Sequence, residues 1–194
     1  MNTRTANGSP ETPQPERPGI ETESSRHLQR NCQPCTACCE GWLSAQINEF
    51  KVSAGNPCPH SKNQGCGIYA ERPKVPCRTF ICSWRIEQSS LPDWMRPDQC
   101  GAIVLLSFPW EGELVISAVP VGAEIPAKTL DWLQSYARKH NRPMIYYQRP
   151  VSNGEFKGLK KLGYGSAAFR QKVAQLGSKT EEHQAMAMHS GSAG

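Results

Sequence analysis

Hydrophobic positions along this chain become regular only in its second half. Two β-branched apolar runs, AIVLLSF from Ala102 and ELVISAV from Glu113, flank Pro109-Trp110-Glu111-Gly112 and predict a β-hairpin joined by those four residues. Over Lys128 to His140, Leu130, Leu133 and Ala137 recur on one helical face, and Arg138, Lys139 and His140 fill the last turn, where cations complement the helix dipole. Met144 to Gln148 then reads as a third strand, so residues 101–150 form a small β-β-α-β unit. Upstream, Leu43, Ile47 and Phe50 fall at i, i+4 and i+7 and predict a helix from Ser44 to Val52. It is the one regular element expected in 31–100, where stretches such as SAGNPCPH and KNQGCG are turn-forming. Residues 1–30 hold four Arg, four Glu and several Pro without apolar periodicity, which predicts a disordered leader. Residues 151–194 read as a basic segment followed by a flexible tail. The expected class is α+β: an irregular cysteine-rich region stapled by metal, a β-β-α-β unit packed with it, and disordered termini.

Composition sharpens one part of this picture. Across 194 residues, 38% are apolar and 20% charged, and 22 Lys plus Arg against 17 Asp plus Glu give a net charge of +5. These values suit one domain of ordinary size and exclude a large multidomain enzyme. Apolar runs end at five residues, Ala102 to Leu106, far short of the roughly 20 that a membrane span needs. The N-terminus lacks the basic-then-apolar order of a signal peptide, so the expected location is cytoplasmic, with no membrane partner. All nine cysteines lie between Cys32 and Cys100. In a reducing compartment such density points to metal ligation in preference to disulfides, and four cysteines crowded into Cys32 to Cys39 are poorly spaced for cross-links.

The ligand candidates are Cys32, Cys35, Cys38 and Cys39 in the run CQPCTACC, then Cys58, Cys66, Cys77 and Cys82. Two residues between cysteines let one short loop offer both sulfurs to one metal, and thiolate is the donor that zinc and iron-sulfur clusters both favour. Adjacent side chains diverge, so Cys38 and Cys39 are not expected to serve one mononuclear ion together. Eight thiols split in this way imply two four-thiolate sites, or one cluster plus structural thiols. Arg72, Lys74, Arg78 and Arg85 surround the last ligands; Arg78, beside Cys77, is the candidate to offset their negative charge, and Lys74 reads as an exposed cation. Cys100 stands apart, and Trp84 is placed to shield the metal from solvent.

The run Cys32-x2-Cys35-x2-Cys38-Cys39, with isolated Cys58 and Cys66 and then CGIYAERPKVPCRTFICSW, resembles the family of proposed zinc or iron chelators named for its C-x2-C-x2-C-C motif, also called the YkgJ family. The resemblance covers residues 31 to 84 and includes Ile68-Tyr69, Arg72-Pro73 and Cys77-Arg78-x-Phe80. It implies that the same eight cysteines hold metal, gives Cys100 no counterpart, and implies no reaction. Zinc and an iron-sulfur cluster both remain open, with a slight preference for the cluster because three cysteines at the double C-x2-C spacing match the ferredoxin run.

Other signals are weaker. His60 lies two residues after Cys58 and reads as a polar loop residue in preference to a ligand. Ser-His-Asp, GxGxxG and P-loop patterns are absent, and Glu40 and Glu71 have no evident carboxylate partner, so a catalytic role is not expected. An electron-transfer or redox-sensing protein is one alternative. Another is a nucleic-acid-binding module using Phe156, Lys157, Lys160, Lys161, Tyr164, Phe169 and Arg170, in a segment whose six basic and three acidic residues give only a modest charge. A solvated helix or tail is the preferred reading of that segment.

Overall fold

The structure is a computed structural model and describes residues 30–86 and 88–177. Its centre is a four-stranded sheet whose strands run, from one edge to the other, β10 (Lys160–Tyr164), β7 (Met144–Gln148), β6 (Glu113–Pro120) and β5 (Ala102–Trp110). Strands β5 (Ala102–Trp110) and β6 (Glu113–Pro120) are the predicted hairpin. The connection is tighter than expected: Pro109 and Trp110 pair with Leu114 and Glu113 inside the ladder, and only Glu111 and Gly112 turn. Both have positive φ, 50° and 82°, as a two-residue hairpin turn with right-handed strand twist requires. Helix α2 (Ala127–Lys139) then crosses over, and β7 (Met144–Gln148) returns parallel to β6, with Ile116 opposite Met144. The α+β class and the β-β-α-β unit are therefore present.

A fourth strand, β10 (Lys160–Tyr164), pairs antiparallel with β7, and helix α3 (Ala167–Leu176) follows it. The sequence reading left both inside a basic segment. Lys160 and Lys161 mask the strand's alternation at an edge position, where charge is well tolerated. Between β7 and β10 lies a small hairpin, β8 (Val151–Ser152) with β9 (Glu155–Phe156). The tail expected to be unstructured, residues 181–194, lies outside the described residues, as does the leader apart from Arg30.

Alternation along β5 and β6 sends neighbouring residues to two different cores, because both sheet faces are covered. Ala102, Val104, Ile116 and Ala118 pack with Leu133 and Ala137 of α2, and with Trp84, Leu91, Met95 and Cys100 from the preceding chain. Ile103, Leu105, Val115 and Val119 face the other way, onto Phe169 and Val173 of α3 and onto Ala37, Leu43 and Phe80 of the cysteine-rich segment. That segment is thus a layer over the sheet. It carries only short elements: hairpin β1 (Ala45–Ile47) with β2 (Phe50–Val52), hairpin β3 (Ser61–Lys62) with β4 (Gly65–Cys66), and isolated helical turns. The last of these before the sheet is the one-turn helix α1 (Pro97–Cys100).

The helix expected from Ser44 to Val52 is instead the β1–β2 hairpin. Asn48 turns the chain at φ 52°, and Ala45, Gln46 and Ile47 pair with Val52, Lys51 and Phe50. The apolar spacing that suggested a helix fits two short strands equally well: Ile47, Phe50 and Val52 share one face of the hairpin, with Ile47 and Val52 buried and Phe50, beside the turn, 40% exposed. A tight approach fixes the hairpin against the turn before it. Gly41 has φ 86°, and a Cβ there would lie 2.0 Å from the Ser53 carbonyl oxygen.

Candidate metal centre

Four separate stretches of chain deliver cysteines to one place. The first, Cys32 to Cys39, ends in a helical turn over Cys38–Trp42, entered through a Glu40 N–H to Thr36 C=O bond of 2.9 Å. Ala37 and Leu43, at either end of the cysteine pair, are buried against the sheet and act as its anchors. Trp42 is held by the edge of Phe156, at 5.3 Å between centroids, and by the Arg149 guanidinium over its ring. The second stretch carries Cys58, whose N–H donates to the Cys39 carbonyl at 2.7 Å, and Cys66, paired with Ser61 in the β3–β4 hairpin. The third is the turn Lys74–Arg78 with Cys77, tied down by Phe80, whose N–H reaches the Pro76 carbonyl at 2.9 Å and whose ring is buried on the sheet.

Cys82 comes from the fourth stretch, and the sheet itself positions it. The β5–β6 register shifts between Leu105 and Phe108, which leaves the Leu106 N–H free of the ladder. That N–H donates to the buried Ser83 hydroxyl at 2.7 Å, locking the turn Ser83–Arg85 and the cysteine before it. Above it Trp84 is 9% exposed and donates its indole N–H to the Asp93 carbonyl at 3.0 Å. Arg30 clamps the same corner. Its guanidinium donates to the carbonyls of Trp84 and Leu91, both at 2.9 Å, and pairs with Asp93 at 2.6 Å while lying over the Trp84 ring.

All eight candidate cysteines line a single cavity of about 90 Å³, and Cys100 does not. Cys100 is 2% exposed in the other core, its single S–H within reach of both the Met95 and Ala102 carbonyls at 3.3 Å. Every one of the nine is a free thiol. Trp84 and His60 also line the cavity wall; the His60 ring meets Phe50 edge-on. Among the described residues no three His, Cys, Asp or Glu side chains stand close enough to hold one ion as they are, so the sulfurs occupy the walls of the cavity without converging on a point.

The thiols influence one another unequally. Burial pushes the Cys38 thiol well up, and charge on Cys82 and Cys35 adds to it before that on Cys39 and Cys32. Cys39 is pushed up to about 12, by burial first and then by Cys66, Cys58, Cys77 and Cys32. Cys77 is raised by burial and by Cys58 and Cys66, with the Arg72 guanidinium opposing. Burial raises Cys82 to about 11; the Arg85 N–H opposes this, and Cys32 and Cys35 add to it. Cys35 is raised by burial and accepts from the Ala37 and Asp98 N–H groups, which favour thiolate. A raised thiol is a weak nucleophile near neutral pH. The donors of this group are all soft sulfur, with backbone N–H groups already aimed at Cys35 and Cys82, the chemistry that zinc or an iron-sulfur core accepts.

Arg78 does not take the charge-compensating place expected for it. It is exposed, and its guanidinium caps the Arg72 and Ala70 carbonyls. Arg72 lines the cavity instead, stacked on Tyr69 at 3.8 Å and donating to the Tyr69 carbonyl at 2.6 Å. Arg85 also lines it, and its buried Nε has no hydrogen-bond partner among the described residues. Arg30 was missed altogether: sequence offered only one more Arg at the end of a polar leader. In the basic C-terminal segment the rings are spent on packing, Phe156 on Trp42 and Phe169 on Trp110, and Lys157 pairs with Glu155 at 2.5 Å. No helix among the described residues is long and apolar enough to cross a membrane. No protein-family model, curated protein or solved structure matches the chain.

Proposed function

We propose that this protein binds metal, as zinc or as iron in an iron-sulfur cluster, through Cys32, Cys35, Cys38, Cys39, Cys58, Cys66, Cys77 and Cys82. One observation carries the reading: four stretches spread over fifty residues bring eight of nine thiols to one cavity wall, while the ninth is turned into the opposite core. Chance burial of small apolar side chains would not bring eight of them to line one cavity. Resemblance to the chelating family over residues 31 to 84 points the same way. A reducing compartment, the cytoplasm, is where such thiols persist. Bound by four sulfurs, a metal has no open position for substrate, so the role is structural, electron-transferring or sensing, without Lewis-acid catalysis. The cluster keeps its slight preference from the ferredoxin-like spacing.

Anaerobic purification followed by elemental analysis and a visible spectrum tests this. Iron with acid-labile sulfide and broad visible absorbance identifies a cluster, and colourless protein with stoichiometric zinc identifies zinc. Full-length protein that folds and retains neither metal would sink the proposal.

A further inference from the structure

The eight thiols do not form one ring. Cys35, Cys38 and Cys82 pack together against the sheet-facing core that holds Ala37, Leu43 and Phe80. Cys39, Cys58 and Cys77 pack instead around Ile47 and Val52, in a small separate cluster under the β1–β2 hairpin. Backbone contacts repeat the division. The Cys58 N–H donates to the Cys39 carbonyl, and the Ser61 N–H returns to the Cys58 carbonyl at 2.9 Å, which brings the β3–β4 hairpin and Cys66 to the hairpin side. Cys32 falls on the sheet side because its two-residue spacing from Cys35 lets one short loop offer both sulfurs together, and Cys66 falls on the hairpin side because it lies in the β3–β4 hairpin that Cys58 leads into. The border runs through the Cys38–Cys39 peptide, whose two side chains leave a helical turn in different directions. Each side also has its own cation. Arg72 stands by Cys77, while Arg85, three residues beyond Cys82, lines the cavity and has a buried Nε without a hydrogen-bond partner among the described residues.

We propose that the chain holds two separate four-thiolate metal centres, Cys32, Cys35, Cys38 and Cys82 forming one on the sheet side, and Cys39, Cys58, Cys66 and Cys77 forming the other on the hairpin side. This rests on the metal-binding reading above and adds which ligands share an ion. Four thiolates around a divalent ion carry a net charge of −2, so each centre is balanced in part by its own arginine. Binding exchanges protons for metal: each thiol that ligates releases one proton to solvent, and no electron is transferred.

Cadmium is the probe, since it takes four thiolates as zinc does and gives a resolved NMR signal for each distinct site. The full chain, reduced and exchanged with cadmium, is expected to bind two ions and show two signals. Correlation from each cadmium to cysteine β protons should then connect one signal to the sheet-side set and the other to the hairpin-side set, without any substitution. Replacement gives a second readout: Cys35→Ser and Cys82→Ser should each remove the same one of the two ions, and the pair together should remove no more. Combining Cys82→Ser with Cys66→Ser should remove both. A single ion per chain, or β-proton correlations that mix the two sets, overturns the partition and leaves the metal-binding reading standing. Absence of cadmium from folded, reduced protein overturns both.

Discussion

At the scale of single residues, what a cysteine does depends on which core it faces. Cys77→Ser puts a hard hydroxyl among soft donors and should lower metal content per chain, whereas Cys100→Ser should leave it unchanged. Cys100 is nonetheless buried in the apolar core beside α2, so a more polar hydroxyl there should cost about 1–2 kcal/mol of stability, read as a lower urea midpoint at equal metal content. Ser83→Ala should cost about 1–3 kcal/mol, because the Leu106 N–H at the register shift loses its acceptor. It should also loosen Cys82, so metal release to a chelator is expected to speed up; an unchanged release rate would show that the turn is held by other contacts. Arg30→Ala should be at least as severe, at about 2–3 kcal/mol, since two carbonyls lose a charged donor. That eight cysteines would gather while Cys100 stood apart was legible, because closely spaced cysteines sit on short loops that can face one another. Arg72 and Arg85 were named as cations near the last ligands, but choosing between them and Arg78 needed the turn geometry around Cys77. Arg30 left no trace in the sequence, because its partners are backbone carbonyls fifty and more positions away.

Elements with long, unambiguous periods were readable in advance: β5, β6, α2 and β7 fall within one or two residues of expectation, apart from Pro109 and Trp110 joining the hairpin strands. Short ones were not. Three-residue strands carry too few positions to separate a period of 2 from 3.6, which is how β1 and β2 came to read as a helix. Strand β10 was hidden by edge lysines. The contrast predicts how the protein responds to chelation. Sequence alone places the metal-dependent region at 31–100, but Trp84, Leu91, Met95 and Cys100 belong to the core shared with α2 and the sheet. Amide exchange after verified metal removal should therefore rise over residues 31–82 and stay slow across 91–105 and in α2. Loss of protection extending evenly through β5 would contradict that boundary. Gly41 belongs to the same region, and its contact with Ser53 has no room for a methyl group. Gly41→Ala, strained also by its positive φ, should separate the Cys38–Cys39 turn from the hairpin and lower metal content without touching a sulfur.

For the molecule as a whole, the free thiols set a pH limit on the metal-free state. Cys39 and Cys82 have folded values near about 12 and about 11, against an ordinary 9.0, so the fold favours their neutral forms. Their contribution to stability is complete below pH 9 and is lost as pH rises through those folded values. Reduced, metal-stripped protein should thus show a urea midpoint that is flat from about pH 7 to 9 and falls above it. Metal binding has the opposite sign: protons compete with metal for sulfur, so affinity should climb over the same neutral range, measurable by competition with a chelator.

The cysteine-rich layer covers Ile103, Leu105, Phe108 and Val115 on one face of the sheet. Whatever loosens that layer uncovers a contiguous apolar surface beside the β5 edge, a combination that invites one chain to pair with the next. Metal supply would then govern how much of the protein survives production in usable form. Cells grown in metal-depleted medium should accumulate the chain in inclusion bodies, and restoring the ion during synthesis should move it to the supernatant, whereas adding it to the finished aggregate should not.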